Sequence, residues 1–121
     1  MPLLPNSRIS TSVLIQHVLR HGHSRTVPPL RARWRVMKAR EKNAKQPLLA
    51  VIVSTKVSKK AVVRNRLRRQ VKAIIWPVVA DFSPNIAIVL IVMRGSRLPT
   101  FLELRRAIEQ LVQQGRWRIP S

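Results

Sequence analysis

Two aliphatic runs, Leu48 to Val53 and Ile86 to Met93, constrain this chain more than any other feature of its sequence. Neither alternates apolar with polar residues, so neither can lie on a surface with one wet face; each reads as a strand covered on both sides. A chain of 121 residues has room for one ordinary core and not two. The two strands therefore belong to one small central sheet packed with helices, an α+β architecture. The expected organisation is a short N-terminal tail over residues 1–7, one domain over 8–113 and a basic C-terminal tail over 114–121.

The remaining elements follow from periodicity and punctuation. Ser10, Thr11 and Ser12 offer N-caps to a first helix in which Leu14, Ile15, Val18 and Leu19 share a face, and Gly22 is placed to close it in a left-handed conformation. After the Pro28-Pro29 break, Leu30, Ala32, Trp34 and Val36 alternate with Arg31, Arg33 and Arg35, the mark of a strand with one buried and one wet, basic face. From Ala61 the period turns helical. Val63, Leu67, Val71, Ile74 and Val78 take one side, Asn65, Arg69, Lys72 and Trp76 the other, and Pro77 ends or kinks the helix near Trp76. Asp81 to Asn85 reads as a turn, and the second aliphatic strand stops at Arg94-Gly95. Thr100 with Glu103 makes a capping box for a last helix carrying Leu104, Ile108, Leu111 and Val112, ended by Gly115. A further edge strand is expected within residues 38–47.

Charge then narrows the function. The chain holds 24 Lys and Arg against four acids, Glu41, Asp81, Glu103 and Glu109, for a formal net charge of +20. A merely soluble surface mixes both signs, whereas self-repulsion on this scale calls for a polyanionic partner. The excess is also localised. Between Lys56 and Lys72 stand Lys56, Lys59, Lys60, Arg64, Arg66, Arg68, Arg69 and Lys72 with no acid, whereas residues 77–115 carry Arg94, Arg97, Arg105 and Arg106 against Asp81, Glu103 and Glu109. Solvated helix faces normally intersperse Glu for i,i+4 pairing. A helix with a greasy stripe and an acid-free arginine back instead docks on a core and offers its guanidinium groups to phosphates, with Asn65 adding a neutral donor and acceptor.

Several classes are excluded. Without cysteine there is no disulfide framework and no thiolate metal site, which suits a reducing cytoplasm. The apolar runs fall short of the roughly 18–20 residues a membrane helix needs. The first 26 residues, acid-free and carrying Arg8, Arg20 and Arg25, have a transit-peptide flavour, but removing them would leave a thin domain, so they are expected to stay. Four scattered acids supply no carboxylate pair, and neither a cysteine nucleophile nor a Gly-rich phosphate loop is present. His17 and His21, one helical turn apart and followed by His23, have no carboxylate or thiolate neighbour to complete a metal site, and surface or RNA-contacting roles suit them better.

The basic helix carries a resemblance. Val53-Ser54-Thr55-Lys56, a short loop, and then Ala61-Val62-Val63-Arg64-Asn65-Arg66-Leu67-Arg68-Arg69, with an aliphatic strand ending at Arg94, resembles the strand-loop-helix signature of the bacterial ribonuclease P protein family, whose hallmark is the Arg-Asn-Arg helix. Val18-Leu19-Arg20 leading to Gly22 is similar to the family's opening helix, so the likeness spans roughly residues 8–113. It implies a ribosomal-protein-like αβββαβα fold with a left-handed crossover around the Arg-Asn-Arg helix, although about 98% of such connections are right-handed.

For function, the resemblance implies the protein subunit of an endoribonuclease that trims the 5′ leader from precursor tRNA. The RNA subunit with its own Mg²⁺ would cleave, and the protein would hold no metal and do no chemistry. Its partners would be ribonuclease P RNA and precursor tRNA, with no membrane and no obligate protein partner. Lys56, Lys59, Lys60, Arg64, Asn65, Arg66, Arg68, Arg69 and Lys72 would meet RNA, and Ile15, Leu19, Trp34, Val36 and Ser54 would border the leader cleft. The chain departs from the family at Thr55, where Lys is usual, at Ser58-Lys59-Lys60, where Gly is common, and at Ile15 and Leu19, which replace aromatic residues and so remove base stacking that Trp34 could supply. Two other readings stay open on charge and fold: a ribosomal protein or ribosome-assembly factor, and a module for DNA or anionic membranes.

Overall fold

The computed structural model describes residues 8–36, 47–82 and 86–118, with no side-chain description for 8–14. Seven main elements run in the order α1 (Arg8–His21), β1 (His23–Val27), β2 (Leu30–Val36), β3 (Leu48–Val53), α2 (Ala61–Ile75), β4 (Ile86–Val92) and α3 (Phe101–Gly115), with a 3-10 turn, Trp76–Asp81, after α2. The order is the expected αβββαβα. All but Pro47 of the stretch that was to hold an extra strand lies outside the described residues. Among the described residues three strands precede α2, the additional one being β1, paired with β2 across the Pro28-Pro29 turn from Val27↔Leu30 to His23↔Trp34. Its residues His23 to Thr26 are all exposed, so it forms by pairing with its neighbour rather than by burial.

The sheet is ordered β1-β2-β4-β3, with β4 antiparallel to β2 and parallel to β3. β4 buries both faces. Ile86, Ile88, Leu90 and Val92 join Leu30, Ala32, Leu49 and Val53 against Leu67, Val71 and Ile75 of α2 and Leu104, Ile108 and Leu111 of α3. Ala87 and Val89 face the other way, where they and Ala50 meet Val18 of α1, flanked by Ile15, Leu19, Leu48, Ile52 and Ile91. Two alanines beneath α1 let its backbone lie close. Gly22 serves the same approach: a Cβ there would stand 2.6 Å from the Val18 carbonyl oxygen and 2.8 Å from that of Trp34. No described glycine has positive φ, so the expected left-handed closure of α1 is corrected; Gly22 is needed for closeness and not for dihedral freedom.

The last helix begins as read. The Thr100 hydroxyl accepts from the Glu103 N–H at 3.2 Å while the Thr100 N–H donates to the Glu103 carboxylate at 2.8 Å, and Arg97 adds two hydrogen bonds of 2.7 and 3.0 Å to the same carboxylate. Its end corrects the expected tail. Gly115 is helical, Arg116 takes the left-handed cap at φ 55°, and Trp117 turns back to be fully buried. Its indole meets Phe82 at 5.8 Å and Trp34 at 5.5 Å, both edge-on, and Arg118 bridges to Phe82. The ring lies so close over Gly115 that a Cβ there would collide with it. The domain therefore extends past residue 113, at least through Trp117. No described helix is long and apolar enough to cross a membrane.

Trp117→Ala should cost about 3–5 kcal/mol, as for other buried aromatic truncations; urea unfolding would show it, and a loss below about 1 kcal/mol would return this segment to the status of a tail. Hydrogen bonds from Arg97 and then from the Thr100 N–H hold the Glu103 carboxyl down at about 2, against 4.5 ordinarily. A carboxylate with a depressed folded-state pKa contributes stability above the unfolded value and loses it as pH falls through the folded one. The stability gap between wild type and Glu103→Gln should thus be full above about pH 5 and close towards pH 2, as urea titrations at stepped pH would reveal.

Candidate nucleic-acid interface

The site starts from how α2 is held. Leu67, Val71 and Ile75 are buried and anchor one side to the sheet. The helix has no acid in its first turn, and its N-cap, Lys60, makes no side-chain cap, the first N–H bonds running to the Lys60 carbonyl from Val63 and Arg64 at 3.1 Å each. Lys59, Lys60 and Arg64 thus sit at the positive end of a helix dipole, where cations are unfavourable and an anion is welcome.

The preceding loop is ordered by its own hydroxyls. Ser54 Oγ accepts from the Lys56 N–H and Ser58 Oγ from the Lys60 N–H, each at 3.2 Å. Two arginines brace the helix against it. Arg64 donates to the Ser58 carbonyl at 2.9 Å, and Arg68 donates to Asn65 Oδ1 at 2.6 Å and to the Val53 carbonyl at 3.4 Å. These two are half-buried, whereas Lys56, Lys59, Lys60, Asn65, Arg66, Arg69 and Lys72 are exposed. Among the described residues the ion pairs are Arg97–Glu103 and Arg105–Glu109, both at α3, and none involves residues 56–72. The nine residues expected to meet RNA thus form one continuous loop-and-helix surface, with Arg64 and Arg68 as braces that keep spare donors and the rest open to solvent.

The five expected cleft residues are not brought together. Ile15 and Leu19, both half-buried, lie on the α1 side of the sheet. Trp34 pairs with Ile88 and packs in the opposite core beside Trp117 and His23, so it cannot replace rings lost from α1. Val36, 57% exposed, shares that parity and ends β2 opposite Ile86, whereas Ser54 follows Val53 at the other end of the sheet, opposite Val92. Trp34 and Val36 are therefore corrected out of any cleft formed with α1.

What accompanies Ile15 and Leu19 is the alternate set. Arg31, Arg33 and Arg35 pair with Ile91, Val89 and Ala87, on the face that α1 covers. Arg31 donates to the Thr26 hydroxyl at 3.3 Å; Arg33 is half-buried, with its Nε enclosed and lacking a hydrogen-bond partner. The gap between α1 and the sheet, lined by Ile15, Val18, Leu48, Ala50 and Ala87, is about 10 Å³, too small for a base, so a ligand on this face must lie beside α1 and not under it. The arginine alternation was visible in the sequence; its place beside α1 depended on a long-range packing choice. His17 and His21 meet with ring centroids 4.9 Å apart and planes tilted by 47°, and no group of three or more metal-ligating side chains occurs among the described residues.

This geometry has known counterparts. A family model described as Ribonuclease P matches residues 3–115. A ribonuclease P protein component from Synechocystis is 36% identical over 95 residues, 78% of this chain and 70% of that protein, and one from Nostoc is 38% identical over 72 residues, 60% of this chain and 48% of that protein. The matches thus span about half to seven-tenths of these relatives' length. Among solved structures, the Staphylococcus aureus RNase P protein superposes with a TM-score of 0.74 at 18% identity, covering 88% of this chain and 93% of that one. The Thermotoga maritima RNase P protein gives 0.66 at 18% identity, covering 100% and 97%. Those two likenesses establish a shared fold, and the family match establishes kinship: this chain belongs to the ribonuclease P protein family, whose members are the protein components of the endoribonuclease that matures tRNA 5′ ends.

Proposed function

We propose that this chain acts in the cytoplasm as the non-catalytic protein subunit of ribonuclease P, gripping the catalytic RNA through α2 and the loop before it, and the 5′ leader of precursor tRNA through the sheet face beside α1. The carrying observation is the acid-free exposed surface from Lys56 to Lys72, fixed to the core by Leu67, Val71 and Ile75. The nine residues proposed to meet RNA offer guanidinium, ammonium and one amide, groups that bind phosphate and do no bond chemistry. Their work is to neutralise phosphates and position RNA, while Mg²⁺ held by the RNA supplies the hydrolytic step. On the second face, Arg31, Arg33 and Arg35 stand every second residue along a strand, roughly 7 Å apart, a pitch suited to successive phosphates of an extended single strand. Charge takes over there from the stacking that Ile15 and Leu19 cannot provide.

Reconstitution tests the first face. The protein added to a bacterial ribonuclease P RNA should promote cleavage of precursor tRNA at the mature 5′ end at low Mg²⁺. Arg66→Ala and Arg69→Ala should each weaken RNA binding and flatten its salt dependence by about 0.7–0.9 in log–log slope per lost phosphate contact. Unchanged affinity, slope and low-magnesium cleavage would overturn the assignment. The second face is tested by Arg33→Ala, which should weaken holoenzyme binding of leader-bearing precursor about tenfold, the worth of a charge-assisted hydrogen bond, and leave mature tRNA binding unchanged. Equal effects on both RNAs would remove the leader from this face.

A further inference from the structure

Trp76 stands apart from every role assigned above. It belongs to neither core cluster and is 40% exposed, although a tryptophan has more apolar surface to bury than any other residue. Its backbone still follows the helix, at φ −53° and ψ −46°, with its N–H bonded to the Lys72 carbonyl, so the helical rotation continues through it. At 100° per residue Trp76 lies within about 40° of Asn65, Arg69 and Lys72, in the middle of the outward face and not at its margin. Pro77 then ends the α-helical hydrogen bonding and a 3-10 turn follows, so Trp76 stands at the end of a row of cations. An aromatic plane bordered by phosphate-binding groups is the combination that holds an unpaired nucleotide: cations take the backbone and the ring takes the base, whatever its identity.

We propose that Trp76 is a stacking platform for an unpaired base of the RNA that α2 grips, with Arg69 and Lys72 on the adjoining phosphates. The inference rests on the reading of α2 as an RNA-binding surface. It gives that surface a second kind of contact, one that discriminates an RNA with an unstacked nucleotide at this point from a continuous duplex.

Binding of a bacterial ribonuclease P RNA by the full chain, measured over a salt series, tests it with Trp76→Ala, Trp76→Leu, Trp76→Phe and Arg69→Ala. Stacking predicts that Trp76→Ala and Trp76→Leu weaken binding about 5- to 150-fold at every salt concentration without changing the slope, and that Trp76→Phe keeps most of the affinity. RNA should quench the tryptophan emission of the wild type more than that of Trp76→Phe. If Trp76→Ala binds like wild type while Arg69→Ala is weakened, stacking is wrong and the reading of α2 stands. If Trp76→Leu matches Trp76→Phe, the contact is apolar packing and the proposal fails. If neither Trp76→Ala nor Arg69→Ala weakens binding, both fall together.

Discussion

The parallel pairing of β3 with β4 sets the terms for the rest of the molecule. Parallel neighbours cannot be joined by a hairpin, so the chain must leave the sheet after Val53 and return through a crossover, which is α2. Because β4 is central and apolar on both sides, both faces of the sheet need cover: α2 and α3 take one, α1 the other. A crossover helix pinned along Leu67, Val71 and Ile75 has no freedom to roll, and whatever residues alternate with that stripe are turned outward. The basic surface is thus placed by hydrogen-bond topology. Its arginines need no separate device to hold them out.

Charge segregation gives that surface its use. Of the four acids, Glu103 is spent on the α3 cap with Arg97 and Glu109 on a pair with Arg105, so the carboxylates that make ion pairs in the described structure do so at α3. Among the described residues the cations of 56–72 have no carboxylate partner, and only Arg64 and Arg68 place donors on protein oxygens, those of Ser58, Asn65 and Val53. That arrangement disfavours the compact state through repulsion and through Lys59, Lys60 and Arg64 crowding a positive helix end, and a polyanion relieves both. Binding and folding are therefore linked: an RNA that engages only the folded surface stabilises the fold.

Sequence reading succeeded where the signal was local and periodic. The aliphatic strands, the amphipathic α2 ended by Pro77, and the Thr100–Glu103 box each declare themselves within a short stretch of chain. It failed where the deciding contact is distant in sequence. β1 is His-Ser-Arg-Thr-Val, almost wholly exposed, and is a strand only because β2 is beside it. Trp117, between two arginines near the end of the chain, reads as tail until Phe82, Trp34 and Gly115 are seen around it. Trp34 fell on the wrong face for a related reason: its parity with Leu30 and Ala32 is plain, but which parity faces α1 is settled only by Val18 seating on Ala50, Ala87 and Val89.

That parity changes what the α1 side can recognise. Aromatic rings would bind a single strand by its bases, an interaction that adds with each stacked nucleotide and is nearly indifferent to salt. Here the helix offers aliphatic Ile15 and Leu19, and the adjoining strand offers a row of guanidinium groups, one of them with a donor enclosed and unmatched within the protein. The enclosed Nε is closed to a ligand, so it is through the other guanidinium donors of half-buried Arg33 that a phosphate on this face would be held. Recognition on the proposed leader face then depends on the backbone of the strand, common to all sequences. It should be tolerant of leader composition while remaining steeply dependent on ionic strength, the reverse of a stacking cleft.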